Sequence, residues 1–214
     1  MILYSLQILI LGGTVVGTGN KVLTALPESL GTLTQLRVLN LNKCKALESL
    51  PDSIGALSQL SHLSMRECKN IQKLPTSIVN CTNLVDVGLS KCVSLTHLPL
   101  DINRWTKLED LILVKCKLLS ELPPGLGLCR NLCVLDVRAC KRLVSVPASL
   151  GQLSNLKHFN LGSCKALTSL PKELGNLMSL QKLILTDCKS LTSIPDTMLK
   201  FKEITEGWPE NDVG

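Results

Sequence analysis

The sequence predicts an α/β solenoid, with a parallel β-sheet on its concave face and short helical or 3-10 turns on its convex face. The first observation is a period of 24 residues, which is the signature of stacked supersecondary units. Two residue types keep this period without a slip: cysteine at Cys44, Cys68, Cys92, Cys116, Cys140, Cys164 and Cys188, and proline at Pro27, Pro51, Pro75, Pro99, Pro123, Pro147, Pro171 and Pro195. The second observation is that hydrophobic residues make up 45% of the 214 residues and aromatic residues only 2%. The core is therefore built from Leu, Ile and Val.

The strand is predicted at the start of each repeat unit. The first regular unit, residues 36–59, reads LRVLNLNKCKALESLPDSIGALSQ, and the shared pattern is LxxLxLxxCxxLxxLPxxIGxLxx. Leu39 and Leu41 alternate as in a short strand with one face turned inward. Cys44 follows where the chain leaves the sheet, and its thiol is small enough to lie inside and reach a backbone carbonyl.

The convex turn is predicted in the second half of the unit. Pro51 opens a short helical or 3-10 turn, where its missing N–H costs nothing. Gly55 is expected to close that turn in the left-handed conformation. One unit cannot bury its own apolar face, so at least three must stack. Residues 36–203 supply seven units, and adjacent strands ~4.8 Å apart give a sheet roughly 30 Å long.

The two ends are predicted to be irregular. Residues 1–35 are interpreted as an N-terminal repeat or cap, because LQILIL at 6–11 matches LxxLxL and lies 30 residues ahead of Leu36. A signal or membrane-anchor segment remains an alternative for residues 1–20. The glycines after LQILIL do not complete a phosphate-binding loop, since Gly17 is followed by Thr18 where a Lys is needed. Residues 204–214, with Trp208, are expected to form a C-terminal cap.

The run LESLPDSIGALSQL, with cysteine in place of the more usual asparagine after LxxLxL, resembles plant intracellular leucine-rich repeats. Those of nucleotide-binding disease-resistance proteins are similar, as are the plant Ras-group and scaffold-type repeats. The resemblance implies a leucine-rich-repeat horseshoe, a cytoplasmic location and a role in defence-like signalling. It also implies that the chain is a fragment or relative of a larger multidomain receptor, whose nucleotide switch lies in a separate domain.

Candidate contact residues lie in three columns that point outward from the strands. Ile112, Val114 and Val134 are expected to form an exposed apolar centre with a charged rim, a composition typical of a protein interface. The full set of predicted concave-face contacts is Arg66, Asp86, Asp110, Ile112, Val114, Val134, Asp136, Arg138, His158, Asn160, Lys182 and Ile184.

A second candidate surface is a row of lysines just after the cysteines. These lysines could face an anionic partner, although a solvated edge inherited with the repeat explains them as well. The row consists of Lys45, Lys69, Lys117, Lys141, Lys165 and Lys189.

Several kinds of function are excluded or disfavoured. Asp86 and Asp110 lie side by side on an open sheet, which offers no cleft for acid–base catalysis, so the chain is not expected to be an enzyme. A net charge of +6 and five aromatic residues argue against specific nucleic-acid binding. Cys81 and Cys129 fit a core slot, Cys133 lies near a strand start, and no C-x₂-C pair predicts zinc.

The sequence thus predicts a non-catalytic module that binds a protein partner through its concave sheet. No cofactor and no metal are expected, and membrane attachment is not expected under this interpretation. The alternative is a secreted or membrane-anchored recognition protein whose N-terminal apolar segment is the signal or anchor.

Overall fold

The computed structural model describes residues 5–13 and 19–201. Within these residues, eight strands form one parallel sheet in chain order, and a 3-10 turn follows each strand. The strands are β1 Ile8–Ile10, β2 Val38–Asn40, β3 His62–Ser64, β4 Asp86–Gly88, β5 Asp110–Ile112, β6 Val134–Asp136, β7 His158–Asn160 and β8 Lys182–Ile184. The turns are η1 Glu28–Thr32, η2 Asp52–Ala56, η3 Thr76–Asn80, η4 Ile102–Arg104, η5 Pro124–Leu128, η6 Ala148–Gln152, η7 Lys172–Asn176 and η8 Asp196–Met198. Among the described residues, none of the helical segments has the length and hydropathy needed to cross a bilayer.

The middle residue of each strand faces the core, and the strands stay in register along the whole sheet. Leu39 is fully buried and pairs with Leu9 on one side and Leu63 on the other. β1 lies within LQILIL and therefore adds one strand to the sheet, 30 residues ahead of its neighbour β2. The predicted cap at 204–214 and the glycine segment at 14–18 lie outside the described residues.

The cysteine ladder links each repeat to the one before it. The thiol of Cys116 donates to the Leu89 carbonyl of the preceding repeat at 3.1 Å, and the same geometry recurs from Cys68 to Cys188 at 3.1–3.2 Å. The Leu89 carbonyl also accepts from the backbone N–H of Cys92 in its own repeat. The Leu89 carbonyl oxygen therefore accepts hydrogen bonds from the cysteines of two consecutive repeats. The sequence predicts that a small thiol in this position reaches a backbone carbonyl.

A second, shorter ladder lies on the helical side of the core. Cys81 donates to the Ile54 carbonyl at 3.2 Å, the Trp105 indole N–H to Ile78 at 3.2 Å, and Cys129 to Ile102 at 3.3 Å. All three side chains are fully buried, which confirms the core slot predicted for Cys81 and Cys129. Their hydrogen bonds satisfy carbonyls of the preceding 3-10 turns, so these substitutions for leucine add polar links between repeats.

The left-handed backbone of each repeat lies at the corner before the cysteine, not at the convex turn. In the described residues, non-glycine residues with positive φ between 56° and 64° recur every 24 positions. They are Lys43, Glu67, Lys91, Lys115, Ala139, Ser163 and Asp187. Gly55 lies inside η2 without a left-handed φ, so the conformation predicted for it is wrong. The corner needs the left-handed residue because the chain must turn sharply out of the strand before the thiol enters the core.

The convex glycines serve close stacking instead. A Cβ placed on Gly55 would lie 2.6 Å from the Ser77 carbonyl oxygen of the next turn and 2.9 Å from its Cβ. Gly31, Gly127, Gly151 and Gly175 meet the backbone of the following turn in the same way. Since glycine lacks a side chain, adjacent 3-10 turns can pack backbone against backbone along the convex face.

This glycine column is interrupted in the middle of the array. Val79 and Asn103 occupy the glycine position of η3 and η4, and η4 is shortened to three residues. With a side chain in the way, the two turns cannot approach as closely as their neighbours. The result is a groove of about 630 Å³ on the convex face, beside the 76% exposed Leu100.

Alanine substitution at two glycines tests the stacking role. We expect Gly55→Ala to destabilise the protein by about 1–3 kcal/mol, because the new methyl group overpacks against Ser77. Gly88→Ala, on the open face of β4, adds a methyl group 3.6 Å from the Ser64 hydroxyl and should change stability by less than about 1 kcal/mol. Urea unfolding measures both, and equal losses would show that convex contact does not require glycine.

Candidate functional site on the concave face

The outward side chains of the strands form the concave face in three columns. The first strand residues, such as Asp110 and Val134, pair side by side, as do the third residues, such as Ile112 and Asp136. The third column lies two residues beyond each strand and includes Val114 and Arg138. Because the strands are in register, the side chains of one column lie in a straight line across the strands. Neighbours in this line are about 4.8 Å apart.

The structure leaves part of the predicted contact set accessible. Half-buried side chains, which keep some surface for a partner, are Arg66, Asp86, Asp110, Ile112, Val134, Arg138, His158 and Lys182. Ile112 and Val134 are diagonal neighbours on β5 and β6. The apolar centre of the concave face is therefore this pair, with Asp86 and Asp110 on one side and Arg138 on the other.

Four predicted contact residues are nearly covered. Val114 is 7% exposed and Ile184 2%, while Asp136 and Asn160 are 3% and 1% exposed. The prediction that Val114 is an exposed apolar residue is therefore wrong, and Ile184 offers little surface to a partner as well. The reason is geometric: side chains within one column are only one strand spacing apart and shield one another.

Asp136 and Asn160 have a structural role at the strand ends. The Asp136 carboxylate accepts from the backbone N–H of Arg138 at 2.9 Å, and the Asn160 side-chain oxygen accepts from Gly162 at 3.0 Å. Asn40 does the same for Asn42 at 2.9 Å. These Asx-type bonds satisfy an N–H where the chain turns out of the sheet. Both predicted residues therefore shape the face more than they contact a partner.

Asp86 and Asp110 are paired on adjacent strands, and both carboxyls are partly desolvated. Burial raises the pKa of Asp86, while the His62 charge opposes the shift. Burial also raises the pKa of Asp110, with smaller contributions in the same direction from the Asp86 and Glu109 charges. Two like charges side by side in a partly buried row favour a partner that brings positive charge.

The lysine row lies beyond the strand ends, on the edge of the concave face. Lys69, Lys117, Lys141, Lys165 and Lys189 are exposed, and Lys45 is half-buried. In the described part of the chain, Lys165 and Lys189 lie near Asp187, with N–O distances of 3.6 and 3.8 Å. The left-handed corner adds Lys91, which donates to Glu67 at 2.9 Å. Together these residues form an edge that is much more basic than the chain as a whole.

Two features of the face were missed by the sequence interpretation. Ile8 and Ile10 of β1 are 56% and 50% exposed and extend the outward columns by one repeat. The alternation in LQILIL predicts both residues when the first strand is included in the outward columns. Gly88, which carries no side chain, is the neighbour of Ile112 across β4 and β5.

The described residues hold no group of three or more His, Cys, Asp and Glu side chains arranged to bind a metal ion. The ten cysteines are free thiols, and Cys133 alone among them is half-buried while the others are buried. Burial raises the pKa of the Cys116 thiol to about 12 and that of Cys129 to about 11. The thiols of Cys116 and Cys129 are therefore neutral at physiological pH and act as hydrogen-bond donors rather than nucleophiles.

The Asp86–Asp110 pair predicts a pH-dependent stability. Because their pKa values are raised on folding, ionisation costs stability above the folded-state pKa, and this cost disappears below the unfolded value near 4. Asp110→Asn should therefore raise Tm at pH 7, with the gain shrinking as the pH falls towards 4. Thermal unfolding of Asp110→Asn and of Asp101→Asn, an exposed control on the convex side, checks this. A gain in Tm for Asp110→Asn that does not depend on pH would contradict the raised pKa of Asp110.

The chain was compared with known families and structures. No family model matches it, and no curated protein matches it. Among solved structures, the leucine-rich repeat domain of the type III effector XopL has a TM-score of 0.61 at 23% identity, with 85% of this chain and 71% of that chain covered. The Arabidopsis receptor kinase HAESA, in complex with the peptide hormone IDA and the co-receptor SERK1, has a TM-score of 0.55 at 23% identity. A TDR receptor has a TM-score of 0.53 at 23% identity.

The chain covers 71% of the XopL domain but only 27% of the HAESA structure and 35% of the TDR receptor, while 75% and 86% of this chain are covered in the two receptors. At this level of identity the likeness concerns the fold. Eight parallel strands in one open sheet, 3-10 turns on the opposite face and these structural neighbours lead to one conclusion. The chain has the leucine-rich-repeat fold.

Proposed function

We propose that this chain is a non-catalytic protein-binding module that captures its partner on the concave face around Ile112 and Val134. The observation that carries the proposal is the composition of the face at β4–β6. Two half-exposed apolar side chains lie next to each other there, and acidic residues and an arginine surround them. An apolar centre inside a charged rim is the usual composition of a protein interface.

The architecture supports this proposal in a second way. All strands are held by ladder hydrogen bonds and a continuous buried core, so the outward side chains are presented on a rigid surface. A preformed surface loses little conformational entropy when it binds. The HAESA structure, in which a receptor with a similar fold binds a peptide hormone, supports a peptide or protein as the class of partner.

We also propose a cytoplasmic setting and a role in defence-like signalling, following the resemblance to plant intracellular repeats. The free state of all ten thiols supports a reducing compartment, since secreted proteins tend to oxidise their cysteines. Under the same proposal, the chain acts as the recognition part of a larger receptor or as its relative.

Charge introduced into the apolar centre should abolish partner capture. We expect Ile112→Asp and Val134→Asp to lose the proteins that the wild type retains in an affinity pull-down, because a buried unpaired carboxylate at an interface costs several kcal/mol. Ile112→Asp also places a carboxylate opposite Asp136. Ile112→Lys avoids that repulsion and should give the same loss of capture without loss of stability.

Val144→Asp is the matched control for Val134→Asp. Val144 is 49% exposed and lies on the return segment between β6 and η6, away from the concave columns. Proteins captured by both the wild type and Val144→Asp, and lost with Val134→Asp, are the specific partners. If the captured proteins are the same for all variants, the concave centre is not the binding site.

A further inference from the structure

Charge is sorted across the concave face in the central repeats. The acidic residues Asp86, Glu109 and Asp110 lie at or just before the starts of β4 and β5. The residues that follow the ends of β5 and β6 are basic: Lys115, Lys117, Lys141 and Arg142, here named the basic edge. Ile112 lies between the two, and Val134 continues the column of Asp86 and Asp110 onto β6. Along β5, the concave face therefore presents negative charge at Asp110, an apolar side chain at Ile112 and positive charge from Lys115 onward.

The basic edge is held in place by the backbone. The left-handed residue of each corner donates its N–H to the next repeat, as Lys91 does to Val114 at 2.6 Å and Lys115 to Arg138 at 2.8 Å. These bonds continue the parallel ladder beyond the strands. The corners are thus spaced as the strands are, about 4.8 Å apart. Lys115 is itself a corner residue, and Lys117, Lys141 and Arg142 follow their corners by two or three residues.

Acidic residues neutralise the two ends of this row but not its centre. Glu67 pairs with Lys91 towards the N-terminal end, and Asp187 pairs with Lys165 and Lys189 towards the C-terminal end. Within residues 5–13 and 19–201, the structure shows no ion pair for the four residues of the basic edge. All four are exposed, so their charge is directed to solvent or to a partner.

We propose that the partner's binding element is an amphipathic helix laid along the array, with basic residues on one flank and acidic residues on the other. Its apolar stripe contacts Ile112 and Val134, its basic flank faces Asp86 and Asp110, and its acidic flank faces the basic edge. This inference rests on the proposed function, and it adds the chemistry and orientation of the partner.

The width of the charge pattern fits a helix. From Asp110 to Lys115, the first residue of the basic edge, the chain advances five residues, or about 16 Å at the rise of an extended strand. An α-helix with its side chains is about 10–12 Å across, and one of 20 residues is about 30 Å long, close to the expected length of the sheet. A helix that crosses the strands therefore reaches both charged sides at once.

The same charge pattern disfavours partners that carry only negative charge. A nucleic acid or an anionic bilayer carries negative charge alone, so one that reached the basic edge would also meet the carboxylates of Asp86, Glu109 and Asp110. Single-stranded nucleic acids also need aromatic side chains for stacking, and the basic edge contains none. A protein element can carry both signs of charge, which is what this face complements.

Designed peptides test the proposal on the full chain. Two fluorescein-labelled helical peptides of about 20 residues share one leucine stripe and one composition. In the first, lysines occupy one flank and glutamates the other; in the second, both residues are mixed on both flanks. By fluorescence anisotropy at 50 mM salt, we expect the first peptide to bind at least about 5-fold more tightly, with an advantage that shrinks at 500 mM salt.

Charge reversal locates the contact. Lys117→Glu/Lys141→Glu should weaken binding of the sorted peptide by about 10-fold or more. Lys73→Glu/Lys172→Glu makes the same change in net charge at exposed convex positions and should leave affinity within about 2-fold. Equal losses for the two double variants, or equal affinities for the two peptides, would overturn the inference.

The outcomes separate this inference from the proposed function. Suppose that the wild type binds both peptides equally well and that Ile112→Lys abolishes binding of both. The concave site then stands, and the charge-sorted helix is wrong. If Ile112→Lys has no effect on either peptide, the concave site itself fails. Tighter binding of a 20-nucleotide oligouridylate, or of vesicles containing phosphatidylserine, than of the sorted peptide would assign the basic edge to those ligands and overturn the helix proposal.

Discussion

The hydrogen bond from each ladder thiol to the preceding repeat is the interaction on which the rest of the solenoid depends. The strand, the left-handed corner and the cysteine occupy seven consecutive residues, 38–44 in the first regular repeat, and there the chain passes from the sheet into the core. At Leu89 one carbonyl oxygen accepts from Cys92 of its own repeat and from Cys116 of the next. Because burial keeps these thiols protonated, the donor is retained at physiological pH, and the corner cannot slip by one residue without losing both bonds.

This constraint on the sheet side leaves the convex side more variable. The 3-10 turns pack by close backbone approach wherever glycine is present, as at Gly55, and they separate where Val79 and Asn103 replace it. Strand pairing continues without interruption through the same repeats, from β3 to β5. The convex groove is therefore a local departure that the sheet tolerates, as expected when each repeat is stabilised mainly by its nearest neighbours.

Much of the fold could be predicted from periodicity because each core position recurs in every repeat. The strand at Leu39, the thiol hydrogen bond and the irregular first strand at 6–11 follow from patterns that repetition makes visible. The left-handed corner could not be read in the same way, since Lys43, Glu67 and Ala139 do not favour positive φ and share no side-chain chemistry. Glycine at the convex turn suggested that conformation instead, whereas its actual role depends on the neighbouring repeat.

The candidate site was only partly predictable, for a related physical reason. The outward columns could be assigned by alternation, but exposure depends on the size and contacts of neighbouring side chains. Val114 is covered within its column, and Asp136 and Asn160 turn back to bond the backbone. What remains accessible is Ile112, Val134 and the charges on either side of them, so the face is more narrowly defined than the sequence suggests.

The free energy of unfolding of Cys116→Ala, compared with Cys133→Ala, tests most directly whether the thiol ladder holds the repeats together. Cys116 donates to the preceding repeat and is fully buried, whereas Cys133 is half-buried and its thiol bonds locally to Asn131. We expect a loss of about 1–3 kcal/mol for Cys116→Ala and less than about 0.5 kcal/mol for Cys133→Ala. Equal and small losses would contradict the ladder as the determinant of register.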